Sequence, residues 1–123
     1  MNKINKIPES ELAIMKVLWE SDRALVAGGI TEKLLDKDWK PSTLLTLIAR
    51  LLKKGFIKSQ KDGRYFSYSP LVKENDYLEL EAKSILEKLY DNSIKKFITA
   101  LYESDGVNGK DLDELSEWLK DRR

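Results

Sequence analysis

The sequence predicts a mainly α protein with one small β hairpin, split into an N-terminal lobe and a C-terminal helical region. Three observations carry that prediction. Apolar residues recur at spacings of three and four through most of the 123 residues. The pattern turns strand-like only around residues 56–69, where Asp62-Gly63 is a strong hairpin signal. Charge is also divided: residues 1–70 carry 13 basic and 8 acidic side chains, net +5, whereas residues 71–123 carry 9 and 13, net −4. The overall charge of +1 is therefore an average over two unlike halves.

Taken in order, Pro8-Glu9-Ser10-Glu11 opens a first helix, with acids in the turn where the helix dipole favours them. Leu12, Met15, Leu18 and Trp19 form its apolar stripe, and Ser21-Asp22-Arg23 ends it. Leu25-Val26-Ala27 reads as a short extended link, and Gly28-Gly29 as a break before a second helix over 30–36 that buries Ile30, Leu34 and Leu35. After the turn Lys37-Asp38-Trp39-Lys40, Pro41 suits the first position of a third helix running to Lys54. At 100° per residue from Thr43, residues Leu44, Leu47, Ile48 and Leu51 fall between roughly 40° and 140°. The opposite arc holds Ser42, Thr43, Thr46, Arg50, Lys53 and Lys54, with Ala49 at its edge. Gly55 stands where a left-handed cap is usual. Residues 56–61 and 64–69 are strand-like, and Pro70 closes the second strand.

Beyond Pro70, a long helix over 73–90 carries Leu78, Ala82, Ile85 and Leu89. Asp91-Asn92-Ser93 breaks it with good capping residues. A helix over 94–103 is apolar at Ile94, Phe97, Ile98, Leu101 and Tyr102, and a last one carries Leu112, Leu115, Trp118 and Leu119. Three helices in 53 residues are too few to sustain a core alone. Their stripes must pack on the first lobe or on a second copy, and a twofold dimer is the economical solution.

The absences narrow the chemistry. With no Cys and no His there is no disulfide, no thiolate or imidazole metal site, no Cys nucleophile and no His general base. Asp111, Asp113 and Glu114 read as acids opening a helix rather than a metal or acid/base cluster. No catalytic residue, metal ligand or cofactor is assigned, and an enzyme is not expected. No stretch approaches the roughly 20 apolar residues of a membrane span, and the N-terminal segment is too short and polar for a signal peptide, so a cytoplasmic location is expected.

Three helices followed by a basic-tipped hairpin is the order of a winged helix-turn-helix, here over 1–71, with a helical dimerisation region over 72–123. Residues 40–64 hold seven basic side chains against Asp62 alone, the electrostatic footprint of a nucleic-acid-binding lobe. In such a lobe the third helix enters the major groove and the hairpin follows the phosphates. The candidate DNA contacts are Lys40, Ser42, Thr43, Thr46, Arg50, Lys53, Lys54, Lys61 and Arg64. The candidate dimer contacts are Leu78, Ala82, Ile85, Leu89, Phe97, Leu101, Leu115 and Trp118. Trp19, Trp39 and Trp118 read as core or interface anchors. A winged-helix module for protein contact without DNA binding is the alternative.

The run from Thr43 to Ile57, Thr-Leu-Leu-Thr-Leu-Ile-Ala-Arg-Leu-Leu-Lys-Lys-Gly-Phe-Ile, resembles the recognition helix and wing start of the BlaI/MecI/CopY penicillinase-repressor family. Glu11, Met15 and Trp19, then Trp39 ahead of Pro41, Tyr65-Phe66-Ser67-Tyr68 and Leu71-Val72 continue the resemblance in register. It implies a cytoplasmic homodimeric repressor on a dyad operator near a promoter, often ahead of β-lactam-resistance genes. In several members a membrane sensor metalloprotease signals and the repressor is cut in its dimerisation domain. The family's Asn-Phe cleavage bond aligns with Ala100-Leu101, which lacks that signature. The copper-responsive branch uses a C-terminal cysteine metal box, which a chain without Cys does not have. Staphylococcal members carry basic residues where this chain has Ser42 and Leu45, and a hydroxyl where it has Ala49.

Overall fold

The computed structural model describes residues 4–123; Met1 to Lys3, the start of the polar N-terminal segment, lie outside the described residues. The element order is α1 (Glu9–Glu20), β1 (Leu25–Val26), α2 (Ala27–Lys33), a 3-10 turn (Leu35–Lys37), α3 (Pro41–Lys53), β2 (Ile57–Asp62), β3 (Tyr65–Pro70), α4 (Glu74–Tyr90), α5 (Ile94–Glu103) and α6 (Gly109–Lys120). The chain forms two compact units, one ending at Glu81 and one spanning Ala82–Arg123.

In the first unit α1 buries Glu11, Ile14, Met15 and Leu18. The expected stripe is thus rotated: Ile14 takes its centre, while Leu12 and Trp19 are only partly buried against the core. Leu25-Val26 is a strand rather than a free link, pairing antiparallel with β3 through Leu25↔Tyr68 and Val26↔Ser67. That pairing fixes the entry to α2, which begins at Ala27 and takes Gly28 and Gly29 into its first turn. The glycine break read from the sequence does not occur. Two glycines each weaken a helix by about 1 kcal/mol, and full burial of Ile30, the next residue, offsets much of that. The second helix is also shorter than expected: Asp38, at φ +52, ends the 3-10 turn, and Leu35 is 72% exposed instead of buried.

Pro41 occupies the first turn of α3, where its missing N–H removes no helical bond. At the other end Gly55, at φ +78, closes the helix with paired reverse bonds: Phe56 N–H donates to Leu51 O at 3.0 Å and Gly55 N–H to Leu52 O at 3.1 Å. This closure turns the buried Phe56 back onto the core beside Leu51. Phe56 O then accepts from the N–H groups of Leu71 and Val72, joining the end of α3 to the end of the hairpin.

The sheet order is β1-β3-β2. Strands β2 and β3 pair from Ile57↔Pro70 to Asp62↔Tyr65, so the loop is Gly63-Arg64, one residue later than the Asp62-Gly63 signal suggests. Gly63 takes φ +64 at the first central position, the placement a type II′ turn requires.

The first compact unit runs on to Glu81, past the 71/72 boundary expected between the winged helix and the helical region. Tyr77 is the reason: this α4 residue is 1% exposed, and its ring lies 5.8 Å from Phe56 and 5.9 Å from Trp19. Its hydroxyl accepts from Ile7 N–H at 3.0 Å and donates to Glu81 Oε1 at 2.6 Å. Trp19 Nε1 donates to Val72 O at 2.8 Å, and Lys6 Nζ lies 3.6 Å from Glu81 Oε2. The first two turns of α4 therefore belong to the N-terminal core.

In the second unit α4 ends at two left-handed residues, Asp91 and Asn92, and Ser93 caps α5 by accepting from Lys96 N–H at 3.1 Å. Asp105, at φ +61, ends α5: Gly106 N–H donates to Leu101 O at 2.7 Å and Asp105 N–H to Tyr102 O at 3.2 Å. Asn108 and Asp111 form a reciprocal capping box that starts α6. Asp111 is thereby a capping acid. Tyr90 and Phe97 rings lie 5.1 Å apart, and the Arg122 guanidinium lies 4.7 Å over the Trp118 ring. Among residues 82–123 no apolar side chain is fully buried, and Leu89 is 70% and Trp118 51% exposed.

Candidate nucleic-acid interface

The two faces of α3 are sharply divided. Leu44, Leu47, Ile48 and Leu51 enter the core, as their angular cluster predicts. Ser42, Thr43, Leu45, Thr46, Ala49, Arg50 and Lys53 are exposed. Ser42, Thr43, Thr46 and Arg50 share one shallow hollow on this face. Four of the expected DNA contacts thus stand together on one surface, and Lys53 extends it along the helix. Lys40 is exposed at the residue before α3 begins.

Local structure limits what the hydroxyls can do. Thr46 Oγ1 donates to Ser42 O at 2.9 Å, within the helix itself. Its proton is therefore engaged, and toward solvent Thr46 offers acceptor lone pairs and a methyl group.

On the hairpin, Lys61 faces Phe66 across the strands and Arg64 is the second residue of the loop. Lys58, Lys61 and Arg64 are exposed. Among the described residues none of Lys40, Arg50, Lys53, Lys61 and Arg64 forms an ion pair. Their charge is directed to solvent, as a surface that displaces counterions from phosphates needs.

Lys54 departs from the expected set. Its Nζ lies 2.6 Å from Glu11 Oε1, and Glu11 is 1% exposed. The pair ties the end of α3 to α1, and the ammonium is committed to neutralising a buried carboxylate. In the sequence Glu11 reads as an acid in the first turn and as part of the family resemblance, without a cation assigned to it. Its position one turn before Ile14 and Met15 and two before Leu18 places it on the buried stripe, which was the available signal that it needs a cation.

The helical-region residues divide less simply. On α4 Tyr77 and Ser84 are buried and Leu80 and Glu81 partly buried, while Leu78, Ala82 and Leu89 are exposed and Ile85 is half-buried. Phe97 and Leu101 are half-buried on α5, and Leu115 and Trp118 are exposed on α6. Ala100-Leu101 lies inside α5 with both side chains half-buried, so a protease reaches that bond only once the helix opens. Among the described residues no group of three or more acidic, His or Cys side chains gathers to hold a metal, and no helix is long and apolar enough to cross a membrane.

Comparison with known proteins gives a consistent picture. The family profile described as penicillinase repressor matches residues 7–121. The chain is 32% identical over 123 residues to the penicillinase repressor of Bacillus licheniformis, covering 100% of this chain and 96% of that protein. It is 33% identical over 118 residues to the methicillin resistance regulatory protein MecI of Staphylococcus aureus strain N315, covering 96% of each. A solution structure of monomeric Bacillus licheniformis BlaI in complex with the blaP half-operator is similar over 63% of this chain and 94% of that one. Its TM-score is 0.52 at 37% identity. The similarity to that structure supports the winged-helix architecture of the N-terminal unit.

Proposed function

The chain belongs to the penicillinase repressor family, and from that premise we propose that it is a sequence-specific DNA-binding transcriptional repressor, acting in the cytoplasm as a homodimer on a dyad-symmetric operator. The observation that carries this reading is the solvent face of α3, where Ser42, Thr43, Thr46 and Arg50 stand together over a core-bound opposite face. Unpaired cations on α3 and on the hairpin supply the sequence-independent affinity for phosphates. That the Bacillus licheniformis relative was solved in complex with its half-operator supports DNA binding by this fold. A membrane sensor metalloprotease belongs to the reading as an indirect regulator; Ala100-Leu101 lacks the family's Asn-Phe signature and lies inside α5, so relief of repression is not assigned to a cut at that bond.

Arg50→Ala is expected to weaken binding about tenfold across DNA sequences and to lower the slope of log affinity against log salt by about one. Fluorescence titration of the chain's own promoter DNA at several salt concentrations measures both. Absent or salt-independent binding would sink the reading and favour a protein-contact module.

The dimer follows from the exposed apolar groups of the second unit. Removing them from water needs another surface, and a second copy supplies it symmetrically. Ile85→Asp with Leu89→Asp is expected to give monomers by light scattering and to reduce affinity for a two-half-site duplex. An unchanged mass refutes that placement of the interface.

A further inference from the structure

We propose that the apolar strip on the exposed face of α3, formed by Leu45 and Ala49 beside Thr46, reads the C5-methyl group of thymine, making Leu45 a specificity-determining residue. The inference rests on the DNA-binding reading above and gives it a chemical preference. Leu45 and Ala49 are one helical turn apart, so they share a face. Both are exposed, Leu45 at 51%.

A single exposed leucine needs no explanation; the surrounding residues supply the argument. In a recognition helix the N-terminal residues reach the base edges. From Pro41 to Ala49 this helix contains no Asn, Gln, Asp, Glu, Arg or Lys. The side chains that form bidentate pairs with guanine or adenine are therefore missing from the part of α3 that lies deepest in the groove. What remains is three hydroxyls and an apolar strip. The Thr46 proton is held by Ser42 O at 2.9 Å, so Thr46 meets a base edge only as an acceptor or through its methyl.

For Thr46 and the apolar strip taken together, the major-groove edges leave one good match. An outward acceptor suits adenine N6–H or cytosine N4–H, and the one apolar group in the groove is the thymine methyl. An A·T pair presents an amino donor and that methyl together. A G·C pair has the amino donor alone. Arg50 and Lys53, following toward the C-terminal end of α3, hold the neighbouring phosphates and press the strip against the bases.

The test uses the full-length protein and duplexes it selects from a random 30-base-pair pool. The selected half-sites are expected to carry A·T pairs. The recovered duplex is then remade with deoxyuridine for thymine, which removes the methyl and leaves the pairing edge intact. Loss of one buried methyl weakens binding about fourfold, and one in each half-site about fifteenfold. In Leu45→Ser the thymine and deoxyuridine duplexes are expected to bind within about twofold of each other. Equal binding of the two duplexes by the unaltered protein overturns this inference while leaving the repressor reading intact. A deoxyuridine penalty that persists undiminished in Leu45→Ser overturns the role of Leu45. Failure to select any duplex overturns the DNA-binding reading and this inference with it.

Discussion

Lys54→Ala is expected to lower stability by about 3 kcal/mol, because it strands the Glu11 carboxylate, 1% exposed, without its cation. Lys53→Ala, one residue earlier, is expected to change stability by less than about 0.5 kcal/mol and to weaken DNA binding instead. Two adjacent lysines in one basic run are thus expected to separate into a structural residue and a DNA contact. Urea denaturation beside duplex titration distinguishes them. If Lys54→Ala lost affinity with unchanged stability, the ammonium would be a phosphate contact and the pair with Glu11 incidental.

The second large effect concerns Tyr77. Tyr77→Ala removes a ring packed between Trp19 and Phe56 and is expected to cost about 3–5 kcal/mol. Tyr77→Phe keeps the ring but leaves the Ile7 N–H without its acceptor, and is expected to cost about 1–3 kcal/mol near neutral pH. Its pH dependence is distinctive. Burial first, and then the hydrogen bond to Glu81, push the Tyr77 phenol up to about 12 from 10.0. The folded state therefore holds this proton more tightly than the unfolded chain. The resulting stability is fully present below pH 10 and is lost as pH rises through 12, a change of about 2–3 kcal/mol. The deficit of Tyr77→Phe relative to the unaltered protein is expected to narrow over that interval. Denaturation midpoints of both proteins from pH 7 to 11.5 measure it, and a deficit independent of pH would refute the assignment.

Tyr77 also marks a limit of the sequence reading. Helical spacing selects Leu78, Ala82, Ile85 and Leu89 on α4, and Tyr77 sits one residue off that stripe. It is buried because the chain returns from the hairpin across Phe56 and Trp19, a tertiary fact that periodicity within α4 does not contain. The Glu11–Lys54 pair spans 43 residues and was hidden for the same reason, although each residue alone was visible as an acid or a base.

Where local chemistry governs, the residues are informative. The core face of α3, the left-handed cap at Gly55 and the limits of α5 at Ile94 and Glu103 all follow from spacing, glycine and capping residues. Gly28-Gly29 misleads because propensity is a weak term beside strand pairing at Leu25-Val26 and burial of Ile30. Of the candidate DNA contacts on α3, Ser42, Thr43, Thr46, Arg50 and Lys53 stand exposed on the helix as its angular pattern suggests, whereas Lys54, exposed at the helix end, is tied to the buried Glu11.

The division of α3 has an evolutionary consequence. Its core face carries Leu44, Leu47, Ile48 and Leu51, whereas Ser42, Thr43, Leu45, Thr46, Ala49 and Arg50 support no core contact. Substitutions on the outer face change stability little. A lineage can therefore rewrite the DNA address of such a repressor in single steps, each intermediate still folded.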